Sequence, residues 1–172
     1  MSIDAVLRML RPPLEPRELP TAPDWESAER QLGKLPDDYK GFVAKFGTGQ
    51  IDDFLWVYTP SASSEHLNLV RQAPIQLKIL EDMKNRLEPD SLQQYPDRLL
   101  PFGRSDNGDA LYWVTEGKPA DWTVLVHDPR APRWETFELN MTDFISSVLK
   151  RKITCTIFPD DFPTDNPRFS SH

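Results

Sequence analysis

The chain is poor in cysteine, glycine and histidine: 172 residues hold 1 Cys, 7 Gly and 3 His, against 17 Pro. The single cysteine, Cys155, excludes an intrachain disulfide. His66, His127 and His172 lack the short-spaced pairing that builds a zinc site. Few glycines among many prolines point to extended, rigid connections and not to a flexible low-complexity chain. Nor does any apolar run approach the roughly 20 residues needed to cross a bilayer. No cationic segment followed by an apolar core marks a signal peptide, so the cytoplasm is the expected location and the Asn140-Met141-Thr142 sequon is expected to be silent. Positive charge is also in deficit, with 20 Lys and Arg against 27 Asp and Glu, a net charge of -7. That balance argues against non-specific nucleic-acid binding, which needs cations to replace counterions on phosphate. It favours a basic protein partner, drawn in electrostatically.

What is present is concentrated in Leu35-Pro36-Asp37-Asp38-Tyr39 and the residues after it. Pro36 suits the first position of a helix, and Asp37 and Asp38 complement its positive end. Tyr39, Phe42, Val43 and Phe46 fall at i, i+3, i+4 and i+7, so one face is buried, and Gly47 stops the helix. Ile51 to Tyr58 then reads as one strand, rich in aromatic and β-branched residues and closed by Pro60. A continuous strand would send Asp52, Phe54, Trp56 and Tyr58 to one side and Ile51, Asp53, Leu55 and Val57 to the other.

Elsewhere, Ile3 to Leu10 predicts a short amphipathic helix ended by Pro12-Pro13. Asp24 is the expected cap of a helix carrying Trp25, Ala28 and Leu32, which Gly33 ends. A longer helical region follows Ser61-Ala62-Ser63-Ser64, with Leu77, Leu80, Met83 and Leu87 on one side and a break or kink from Pro74 near Val70. Leu99–Gly103, Ala110–Val114, Thr123–His127 and Trp134–Phe137 read as antiparallel strands, separated by turn signals that include Asn107-Gly108 and Pro129-Arg130-Ala131-Pro132. Asn140 caps a last helix with Phe144, Ile145, Val148 and Leu149 inward. Ile153 to Phe158 is expected to add an edge strand, and the polar tail from Pro159 to be loosely held.

The Leu-Pro-acidic-acidic-Tyr helix, its glycine-rich turn and strand, and the later Leu100-Pro101-Phe102-Gly103 running into Asp106-Asn107-Gly108-Asp109, together resemble the SUKH superfamily. The resemblance spans roughly residues 24 to 150. It implies an α+β fold, a mostly antiparallel twisted sheet flanked by helices, and a binding protein without catalysis. Its common bacterial members are immunity proteins that neutralise a toxin; others are regulatory or scaffold modules. The expected organisation is an N-terminal helix and proline-rich lead over 1–23, the SUKH-like domain over 24–158 and a proline-rich tail over 159–172.

The residues themselves offer little for chemistry. Gly47-Thr48-Gly49 follows a helix and precedes a strand, the reverse of a nucleotide-binding loop. Asp106-Asn107-Gly108-Asp109 lacks the spacing of a calcium loop and reads as a hairpin turn. No cofactor or metal is therefore expected. A hydrolase or transferase built on Asp52, Asp53, Asp106 and His127 is the weakest reading, because no base, nucleophile and orienting group can be brought together. An aromatic surplus ringed by aspartates is more telling, since Trp and Tyr within a charged rim dominate binding energy at interfaces. The candidate partner-binding residues are Asp52, Asp53, Trp56, Tyr58, Asp106, Asp109 and Trp113.

Overall fold

A computed structural model describes residues 3–86, 96–131 and 133–172; Leu87 and Pro132, invoked above for a helix face and a turn, lie outside these residues. In chain order the elements are α1 (Asp4–Leu7), α2 (Ala22–Leu32), α3 (Asp37–Phe46), β1 (Gly49–Ile51), β2 (Leu55–Val57), α4 (Leu69–Lys84), β3 (Leu99–Ser105), β4 (Ala110–Val114), β5 (Thr123–Asp128), β6 (Arg133–Phe137), α5 (Met141–Leu149) and β7 (Phe169–Ser171). Among the described residues the strands form one antiparallel sheet, ordered β6-β5-β4-β3-β2-β1-β7. An α+β fold is what the sequence predicts. The first six strands lie side by side in chain order, with α4 inserted between β2 and β3, and β7 returns to the far edge.

One face of the sheet is closed. Tyr39, Phe42, Val43 and Phe46 of α3 and Phe144, Ile145, Val148 and Leu149 of α5 share a core with Ile51, Leu55, Phe102, Leu111, Trp113 and Val126. Trp113 lies at its centre, with Tyr39 and Phe102 each 5.0 Å away between ring centroids. Val6 of α1 and Leu10 just after it are sealed into the same core, so the N-terminal helix is a brace. The opposite face is thinner. Leu80 from the far end of α4 covers Leu99, Ala110, Tyr112 and Leu125.

The Leu-Pro-Asp-Asp-Tyr segment ties these parts together. Pro36 is the N-cap of α3, one position before the expected one. Asp38 Oδ2 accepts from Thr142 N at 3.0 Å and so fixes the start of α5, while Asn140 Oδ1 accepts from Asp143 N at 2.8 Å and caps it. The Tyr39 hydroxyl donates to the Tyr58 carbonyl at 2.6 Å. Lys40 pairs with Glu29, which also accepts from Lys34 and from Leu35 N. Burial opposes ionisation of Glu29, yet these donors outweigh it and hold its carboxyl down to about 2.

Several expectations are corrected. α2 is capped by Thr21, with Asp24 as the reciprocal member of a capping box. Pro74 neither breaks α4 nor moves its start: it sits inside a continuous helix. Asn68 explains this, since Oδ1 accepts from Arg71 N and Nδ2 donates to Pro60 and Ala62 carbonyls at 3.0 Å each, anchoring the first turn despite the bond Pro74 cannot make. Ile51 to Tyr58 is a hairpin and not one strand. Asp52 and Asp53 take positive φ, 52° and 51°, and Phe54 N donates to the Ile51 carbonyl at 3.0 Å. Positive φ at both central residues is the backbone of a type I′ turn, and it moves Phe54 into the core.

The tail is the largest departure. Ile153 to Phe158 forms no strand, and the seventh strand is instead Phe169–Ser171. Asp52 holds Thr164 through N at 2.6 Å and Oγ1 at 2.8 Å, Phe169 packs 4.9 Å from Phe46, and Phe162 lies 4.6 Å from Phe54. Gly49 is required here, because a Cβ would collide with the Ser170 carbonyl. A polar, proline-rich composition thus conceals two aromatic anchors and an edge strand.

Candidate functional site

Strand register lays out a single cross-sheet row on the thinner face: Ser170, Gln50, Trp56, Arg104, Ala110, His127 and Trp134 are successive partners. Directly opposed residues share a face. At the β7–β1–β2 end Ser170, Trp56 and Arg104 are only half-buried, so the face meets solvent there. Asp106, in the β3–β4 turn, locks this end. Its Oδ1 accepts from Trp56 Nε1 at 2.6 Å and its Oδ2 from Gln50 Nε2 at 2.8 Å. The His172 ring lies 4.8 Å from that of Trp56, and Asp53 Oδ1 accepts from Ser170 Oγ at 3.3 Å.

The structure therefore brings together four of the seven expected residues. Asp53 and Asp106 are exposed, Asp52 and Trp56 half-buried, and all four belong to two neighbouring turns or the strand between them. The other three are corrected, because they are interior. Trp113 and Tyr58 are 0% exposed, as is Asp109. Trp113 faces the α3–α5 core. Tyr58 lies under Arg104: burial pushes its phenol up to about 12, with the guanidinium acting in the opposite sense. Asp109 is a bracket between turns, accepting from Ser105 Oγ at 2.6 Å and from Arg130 Nη2 at 2.7 Å. Burial raises its pKa against those two partners.

Gln50, Arg104 and His172 complete the site without having been foreseen. Gln50 pairs with both Ser170 and Trp56, a relation visible only once register is known. Asp52 belongs to the site by position, yet its carboxylate is occupied by Thr164.

Catalysis finds little footing in this geometry. His127 is three strands from Trp56 along the row, about 14 Å at the usual strand spacing. Burial lowers its pKa to about 4, with Asp128 pulling the other way, so it is neutral near pH 7. Burial pushes the Cys155 thiol up to about 12, far from a nucleophilic thiolate. Among the described residues no group of three or more His, Cys, Asp and Glu is placed to hold a metal, and no helix is long and apolar enough to cross a membrane. What the arrangement offers is an ordered indole at the open end of the sheet, its side chain fixed by Asp106.

The sheet is thus closed on one face and presents a polar-rimmed aromatic on the other. The SUKH_6 family model, described as SMI1-KNR4 cell-wall, matches residues 23–145, and the chain belongs to that family. Membership is consistent with an immunity-type function, in a family that is generally non-catalytic. No curated protein and no solved structure matches the chain.

Proposed function

We propose that this protein is an immunity protein that binds a cognate toxin domain of basic character and neutralises it by covering its working surface. The observation that carries the reading is the Asp53, Trp56 and Asp106 group: one half-buried indole hydrogen-bonded to an exposed carboxylate, with a second exposed carboxylate in the turn before its strand, on the open end of a sheet in a chain of net charge -7. Aromatic anchors with a charged rim are the groups on which interface energy concentrates. An acidic surface also speeds encounter with a basic nuclease-type domain.

Growth rescue tests this. Cells making a basic toxin domain from the source organism survive when this chain is co-expressed, and rescue weakens with Trp56→Ala combined with Asp53→Lys. Full rescue by that double variant would move the interface elsewhere, and failure to rescue from any such toxin would end the reading. A regulatory, non-catalytic module is the second reading, favoured by the cell-wall description of the family. Stoichiometric capture of a cell-wall or signalling protein, with no toxin protection, would select it.

A further inference from the structure

A second cluster of charge, this one positive, adjoins the Asp52-Asp53 turn, where the Arg168 carbonyl accepts from Asp52 N. A half-open cavity of about 640 Å³ opens between the segment following α1 and the segment leading into β7, and Arg8, Arg11 and Arg168 line it. All three are exposed, and among the described residues none has a carboxylate within ion-pair distance. Asp165, also on the rim, is turned to Arg151 at 3.6 Å. Met9 and Phe169 supply an apolar wall, and Phe169 is held in place by Phe42 and Phe46. Every lining residue falls outside the family-matched 23–145. The cavity thus lies outside the family-matched region.

We propose that this cavity is a binding site for a phosphorylated small molecule, with the arginines on its phosphates and Met9 and Phe169 against its less polar body. Three guanidinium groups line the cavity against one carboxylate, Asp165, and an anion offsets that excess of positive charge. Guanidinium forks match phosphate oxygens in bidentate pairs. The volume lies in the range of about 300–1,000 Å³ found for small-molecule sites, large enough for a nucleoside phosphate. Asn166 adds an amide donor and Asp165 an acceptor suited to a hydroxyl of the same ligand.

Isothermal titration of the full chain with pyrophosphate, ADP and adenosine tests the site. ADP and pyrophosphate bind, adenosine does not, and binding weakens as salt rises. Tighter binding of ADP than of pyrophosphate identifies a nucleotide-like ligand, and equal binding a free phosphate chain; both carry the shared phosphate chemistry. The combined variant Arg8→Gln, Arg11→Gln, Arg168→Gln lowers affinity by at least about tenfold, the scale of one lost charge-assisted hydrogen bond. Because the three side chains are exposed, its melting temperature without ligand stays that of the parent. No binding of either phosphate probe, unchanged affinity in the triple variant, or a preference for a glutamate-rich peptide over ADP would overturn the proposal.

Discussion

The two faces of the sheet use the same residue types for opposite ends. On the closed face Trp113 is enclosed by Tyr39, Phe102 and Trp122, and its indole N–H has no hydrogen-bond partner in the structure. On the open face Trp56 is half-buried and its N–H is fixed by Asp106 at 2.6 Å. One tryptophan gives its whole surface to folding and leaves a polar atom unsatisfied; the other keeps surface in reserve and has its polar atom satisfied. Enclosure marks a contribution to stability, whereas orientation without enclosure leaves indole surface exposed to solvent.

Truncation should separate the two faces most sharply. Trp113→Ala removes a fully enclosed indole and should cost about 3–5 kcal/mol in urea unfolding; a loss similar to that of Trp56→Ala would erase the distinction. Acid acts next. His127 binds a proton below about 6.5 when unfolded but only below about 4 when folded, so its contribution is complete above pH 6.5 and is lost as pH falls through 4. Melting curves from pH 7 to 4 should show this decline, and His127→Gln should flatten it. Tyr39→Phe, which leaves the Tyr58 carbonyl without its donor, should cost about 1–3 kcal/mol.

On the open side the expected stability effects shrink while the binding effects grow. Trp56→Ala should cost less than about 1.5 kcal/mol of stability, well under the value for full enclosure, while weakening binding to the partner expected from the proposed function. Asp53→Lys gives up the bond from Ser170 and puts lysine at φ 51°, so it should cost about 1 kcal/mol of stability, while slowing association and reducing its salt dependence in stopped-flow mixing. Asp52→Lys is a poorer probe of the same surface. It also releases the two bonds to Thr164, so any binding defect would be mixed with loosening of the tail.

Legibility in the sequence followed the locality of each signal. Asn140 with Asp143 three positions on, and Phe144, Ile145, Val148 and Leu149 at helical spacing, are self-contained, and α5 forms where they predict. Asn107-Gly108 behaves likewise at the β3–β4 turn, with Gly108 at φ 87°. Asp52-Asp53 is different: aspartate reaches positive φ only occasionally, and here Thr164 and Ser170, more than a hundred positions away, hold both side chains. No local pattern encodes that. The same applies to Phe169-Ser170-Ser171, too short and polar to read as a strand until Gly49 and Ile51 are known to be its partners. For the site, Trp56 and Trp113 are alike in local sequence, each flanked by β-favouring neighbours; only the direction each faces in the assembled sheet separates surface from interior.

The return of β7 has a consequence for how the chain matures. Gly49, Gln50 and Ile51 are made early, but the strand that satisfies their outer side comes from residues 169–171. Until those residues emerge from the ribosome, β1 is a bare sheet margin, open to pairing with any extended chain nearby. Docking of β7 therefore retires a sticky intermediate, and a nascent chain stalled before Phe169 should self-associate where the finished one does not.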